Sequence, residues 1–145
     1  MISGRRVALD VGTVRVGVAI SDISGIVASP LATVSPEGLE EYLLALSQEE
    51  NLIVVYVGLP LHLSGSEGAS AEMARATAAQ LKDLINIPIR LLDERLTTVI
   101  ASERNRLRGE RVDRETIDQG AAVALLEFAL QSERNSGKFA GIDCD

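Results

Sequence analysis

Aromatic side chains make up only 3% of this 145-residue chain. Its core must therefore be aliphatic, drawn from the Val, Leu, Ile and Ala that dominate an apolar share of 46%. Cysteine occurs once, as Cys144; a lone thiol excludes an intramolecular disulfide framework and fits a reducing cytosol. Histidine is as scarce, with His62 alone. Long apolar runs are missing too: the longest, LIVVYVGLPL, is too short to span a bilayer. Arg5 and Arg6 are followed by only three apolar residues before Asp10, unlike a secretory signal. These absences predict a soluble, cytoplasmic protein with no membrane partner, built as a single domain over residues 1–134. The tail from Asn135, NSGKFAGIDCD, reads as loosely ordered.

Positive charge is also in short supply, the net charge being −7. That balance argues against nucleic acid, but the distribution argues for it. Between Arg95 and Arg114 lie six arginines (95, 104, 106, 108, 111 and 114) against Glu103, Glu110 and Asp113, so the segment is +3 and the remainder −10. A solvated helix face accounts for most such runs; arginine without lysine favours phosphate, whose oxygens match the guanidinium fork.

The chain contains no repeats. Val7–Val11, Val14–Ser21 and Ile26–Val34 read as strands joined by the tight turns DVGT and DISG, an antiparallel meander. Ser35-Pro36 opens a helix with Leu39, Tyr42, Leu43 and Leu46 on one stripe. Leu52–Gly58 is a continuous apolar run, as in a strand covered on both faces. A helix follows from about Ala69 to Leu84 with Met73, Ala76, Leu81 and Leu84 inward, then a short buried strand, Pro88–Leu92, and helices near Thr97–Arg108 and Arg114–Gln131. The expected architecture is α/β: a five-stranded mixed sheet, three antiparallel strands then two parallel, with helices on both faces. This strand order resembles the ribonuclease H-like fold.

Three carboxylates sit awkwardly in this pattern. Asp10 shares a strand face with Ala8, and a buried unpaired carboxylate costs several kcal/mol. It could cap the Gly12-Thr13 turn instead. Asp93-Glu94 closes a buried parallel strand at its carboxyl end, where ligand sites form in open α/β sheets. Asp118 lies on one helical stripe with Ala122, Leu125 and Ala129, more than a turn beyond the better-placed cap Asp113. Clustered acids need bridging cations. Hard oxygen donors without Cys or His companions point to Mg²⁺ or Mn²⁺, and two such ions support phosphodiester hydrolysis.

The blocks VALDVGTVRVGVAISD, VVYVGLPLHLSGSEG, IRLLDERLTTVIA and DRETIDQGAAVALL, in that order over nearly the whole chain, resemble the YqgF family. Its members are described as Holliday junction resolvases and pre-16S rRNA nucleases. The resemblance implies a ribonuclease H-like, cytoplasmic, metal-dependent nuclease acting on precursor ribosomal RNA, within pre-ribosomal particles, or on branched DNA. It places catalytic and metal-binding acids at Asp10, Glu94 and Asp118, choosing Glu94 over Asp93. Val14 stands where the family often has Lys, leaving Arg15 as the basic residue of that turn. His62-Leu63-Ser64-Gly65 replaces the usual N-M-D-G. Expected substrate contacts are Arg15, His62, Ser64, Gly65, Arg95, Arg104, Arg108 and Arg111. His62 also reads as an ordinary solvated loop residue, and Arg95 as a partner for Asp93. D-x-G-T further resembles the phosphate loop of actin-like ATPases, but those need two lobes and a second such loop is missing. A non-catalytic nucleic-acid-binding module is the remaining alternative.

Overall fold

The computed structural model describes residues 1–96 and 114–144, with the backbone alone for 114–118. Strand β1 (Arg5–Val11) pairs antiparallel with β2 (Val16–Ser21), and β2 with β3 (Ala28–Val34). A 3₁₀ turn, Pro36–Gly38, is capped by the Ser35 hydroxyl accepting from the Gly38 amide at 3.1 Å. Helix α1 (Leu39–Glu49) then leads to β4 (Leu52–Leu59), parallel to β1. Helix α2 (Ala69–Leu84) leads to β5 (Ile89–Asp93), parallel to β4. Helix α3 (Arg114–Ser136) precedes the short β6 (Ile142–Asp143), antiparallel to β5. The sheet order is β3-β2-β1-β4-β5-β6.

The five expected strands are present, but the sheet has six. The additional strand comes from the tail, where the sequence suggests loose order. Gly137 and Gly141 turn the chain with φ of 76° and 75°, and the Arg90 guanidinium holds the tail in place. It donates to the carbonyls of Ala140 (3.0 Å) and Gly141 (2.6 Å) and to the Asp143 carboxylate (2.6 Å). A two-residue strand held by one arginine leaves no periodic trace. The helix expected over 97–108 lies outside the described residues.

Strand alternation sorts the core onto two faces. Val7, Leu9, Val18, Val55, Val57 and Leu91 pack with α1 and α2; Ala8, Ala19, Tyr56 and Leu92 pack with α3. In α2 the buried stripe is Ala71, Ala74, Ala78 and Leu81, whereas Ala76 and Leu84 are exposed and Met73 is half-buried. Small residues, not the largest apolar ones, let this helix approach the sheet. Against the other face α3 buries Ala122, Leu125, Leu126, Ala129 and Leu130.

Among the described residues the core holds a charged pair, Arg6 and Glu133. Arg6, 0% exposed, forms a bidentate pair with Glu133 of α3 (Nε–Oε1 3.0 Å, Nη2–Oε2 2.8 Å). Its remaining donors reach the Gly4 and Ile2 carbonyls at 2.6 and 2.7 Å. Complete satisfaction is what makes a buried guanidinium tolerable.

Candidate active site

Asp10 lies near the end of β1 on the α3 side of the sheet. It pairs across to Gly17 of β2, and Gly17 to Thr33 of β3. On its other side Leu9 pairs with Val57, which makes Gly58 the next neighbour in β4. Asp10 therefore sits between two glycines in a transverse row. The turn after it is closed by its own backbone, the Gly12 amide donating to the Arg15 carbonyl at 3.1 Å. No described hydrogen bond uses Asp10 as a cap for that turn.

Glu94 follows the last residue of β5, two strands away from Asp10, and its amide donates to the Leu59 carbonyl at 3.1 Å. Two inter-strand spacings come to roughly 10 Å, a gap that a glutamate can close only by lying across the intervening strand. Gly58 leaves that path open. A Cβ there would stand 2.5 Å from Glu94 Oε1 and 2.9 Å from both Glu94 Cγ and Leu125 Cδ1. Lying over Gly58, the Glu94 carboxyl hydrogen-bonds Asp10. Burial, then this contact and the charges of Asp10 and Asp93, push its pKa up to about 8.

Period-2 alternation separates Glu94 from its neighbour. Asp93 pairs with Arg95, whose Nη2 and Nε lie 2.7 and 3.1 Å from Oδ2, and the Arg95 amide donates to Oδ1 at 2.9 Å. The guanidinium beside it holds the Asp93 carboxyl below the usual range. Arg95 Nη1 also reaches the His62 and Leu63 carbonyls, at 3.4 Å each. The loop carrying His62, Ser64 and Gly65 is thus fastened next to the acid pair. His62 Nε2 faces Gly68, 2.7 Å from where a Cβ would be, and the Ser64 and Ser66 hydroxyls bond each other at 3.0 Å.

Asp118 lies in α3, and its side chain is outside the described residues, as are Arg104, Arg108 and Arg111 altogether. Gln119, the next residue, donates to the Thr33 hydroxyl at 2.8 Å. That bond ties this part of α3 to the row containing Asp10. Arg15 sits at the turn following β1. Sequence reasoning missed Gly17, Gly58 and Thr33. A pairing register would have found the glycines, which flank Asp10 in space and lie far from it in sequence.

Among the described residues, no three His, Cys, Asp or Glu side chains group as a cation site; the described acids form a pair. The chemistry of that pair fits a divalent cation. Burial and the neighbouring carboxylates of Asp10 and Asp93 disfavour negative charge on Glu94, a bound cation would offset that charge, and hard oxygens suit Mg²⁺ or Mn²⁺.

A family model described as "RuvX: Holliday junction resolvase" matches residues 4–132. A Streptomyces avermitilis protein named "Putative pre-16S rRNA nuclease" is 46% identical, covering 97% of this chain and 94% of its own. A Rhodopirellula baltica protein of the same name is 40% identical, covering 96% and 83%. Among solved structures, T. thermophilus RuvC in complex with a Holliday junction substrate superposes with a TM-score of 0.61 over 92% of this chain and 97% of that one. At 14% identity this likeness concerns the fold, and it agrees with the ribonuclease H-like strand order.

Proposed function

This chain belongs to the RuvX family of Holliday junction resolvases, and from that premise we propose that it is a divalent-metal-dependent nuclease of the cytoplasm. In this reading it hydrolyses phosphodiester bonds in structured nucleic acid, trimming the 5′ end of precursor 16S ribosomal RNA, free or in pre-ribosomal particles. The names of its relatives support that substrate. The observation that carries the reading is the Asp10–Glu94 contact over Gly58. It juxtaposes two hard carboxylates at the carboxyl edge of the parallel strands.

Asp10, Glu94 and Asp118 would hold two Mg²⁺ or Mn²⁺ ions. When bound, these supply positive charge that activates a water and offsets the charge developing on the leaving oxygen. The protein positions and screens. Gly58 leaves room for Glu94, and Arg95 neutralises Asp93, so that Asp93 adds less repulsion to the pair. In this reading Ser64, Gly65, His62, Arg15 and the arginines at 95, 104, 108 and 111 would meet substrate phosphates. Cleavage of branched DNA is the second reading, favoured by the family's description.

The test incubates purified protein with labelled precursor RNA and four-way DNA junctions in Mg²⁺, Mn²⁺ or EDTA. Metal-dependent cleavage is expected, and the preferred substrate decides between the two readings. Asp10→Asn should lower the rate by about two orders of magnitude or more. Gly58→Ala, which pushes Glu94 off Asp10, should cost about a hundredfold if the carboxyl moves about 1 Å. Activity that survives EDTA, or is equal in Asp10→Asn, would overturn the proposal.

A further inference from the structure

Leu63 is 97% exposed, and the next most exposed large apolar side chain among the described residues, Val14, is 68% exposed. Scattered surface leucines are ordinary. What sets this one apart is the rigidity and position of the loop beneath it. Leu61 and Glu67 pair as an antiparallel bridge at the loop's base. Inside it, the His62 amide donates to the Ser66 carbonyl at 3.0 Å and the Gly65 amide to the His62 carbonyl at 2.8 Å, placing Leu63 within the tight turn His62–Gly65. Gly65 takes a φ of 90°, open to glycine at little cost.

Both flanks are fastened. Arg75 of α2 grips Glu67 through two contacts of 2.6 and 2.7 Å. Arg95 reaches the His62 and Leu63 carbonyls while paired with Asp93. The loop leaves β4 directly after Leu59, whose carbonyl accepts from the Glu94 amide at 3.1 Å, so its tip rises from the same carboxyl edge of the sheet as the acid pair. A pre-ordered loop loses little conformational freedom on binding, so an apolar group at its tip is well placed to insert into a partner.

We propose that Leu63 is a wedge, packing on and unstacking a nucleobase beside the phosphate to be cut. The inference rests on the nuclease reading and deepens it: substrates already unpaired or easily splayed at that point are preferred, because unstacking costs least there. Polar turn neighbours (Ser64, Gly65, Ser66) can meet the backbone while the leucine meets the base.

The chain contains no tryptophan, so Leu63→Trp installs a unique probe. In an Asp10→Asn background that keeps substrate intact, its emission should be quenched by a single-stranded oligoribonucleotide and by an RNA stem–loop with an unpaired segment. A tryptophan at Leu44, on α1, should stay unquenched. With Asp10 restored, Leu63→Ser should raise KM about tenfold and spare kcat, with a smaller effect on fully single-stranded RNA than on the stem–loop. Unquenched emission together with an unchanged KM, while wild type still cuts and Asp10→Asn does not, would overturn the wedge and leave the nuclease reading standing. Failure of wild type to bind or cut any of these RNAs or a four-way DNA junction would overturn both.

Discussion

Glu94 and Asp10 share a hydrogen bond where two negative charges would otherwise meet in a partly dry site. Arg95, which could have neutralised that pair, is engaged with Asp93 instead. The consequence is a pH-dependent stability that runs against the usual carboxylate pattern. The folded pKa of about 8 lies above the ordinary 4.5. Glu94 therefore supports the fold fully below the lower value, and that support is lost as pH rises through the higher one. In EDTA, Glu94→Gln should match wild type near about pH 4 and exceed its stability by a few kcal/mol above about pH 8. Urea denaturation at the two pH values checks this, and equal stability at high pH would mean that the carboxyls do not oppose each other. The awkwardness of Asp10 was legible from alternation alone. Gly58 was not, since nothing in its own neighbourhood, VYVGLP, says that a glutamate thirty-six positions later will lie across it.

Among the elements, α3 has the most to position, because Gln119 ties it to the strand row that contains Asp10. Its alanines, Ala122 and Ala129, are fully buried and allow a close approach to the sheet. Among the described residues, polar ties then fix its placement: Gln119 on Thr33, Glu133 on Arg6, and Arg134 on the Gly25 carbonyl. The Arg6–Glu133 pair is the strongest because both partners are dry, Glu133 being 3% exposed. Arg6→Met strands the Glu133 carboxylate and should cost about 3–5 kcal/mol. Adding Glu133→Leu should recover most of that loss, since a packed apolar pair replaces a buried ion pair with little penalty. Urea denaturation of the single and double variants measures both effects. The small-residue stripe of α3 could be read from the sequence. The role of Arg6 could not, as it looks like any charged residue flanking a strand.

For the molecule as a whole, acidity and function pull in opposite directions. In the proposed reading a chain of net charge −7 acting on a polyanion would draw on cations bound at its site, and a ligand that binds only the folded state stabilises it. Manganese at a hundred times its dissociation constant should add about 2.7 kcal/mol, raising Tm by roughly 5–10 °C for a chain of this size. Asp118→Asn should shrink the rise if that acid joins the pair. Thermal denaturation with and without Mn²⁺ reads both, and a Tm indifferent to the metal would count against a preformed cation site. No helix among the described residues is long and apolar enough to cross a membrane.

Composition, hydrophobic period and turn chemistry are local properties. They were enough by themselves to specify the α/β class, the antiparallel meander, the two parallel crossovers and the odd placement of Asp10 and of Glu94 with its neighbour Asp93. Register, the crossing of Glu94 over Gly58, the buried Arg6–Glu133 pair and the capture of the tail by Arg90 were decided only in the tertiary structure. Each depends on groups remote in sequence coming within a few ångströms, and charge and hydrogen-bond energies at that range are set by which partner arrives, not by the residue's own neighbours.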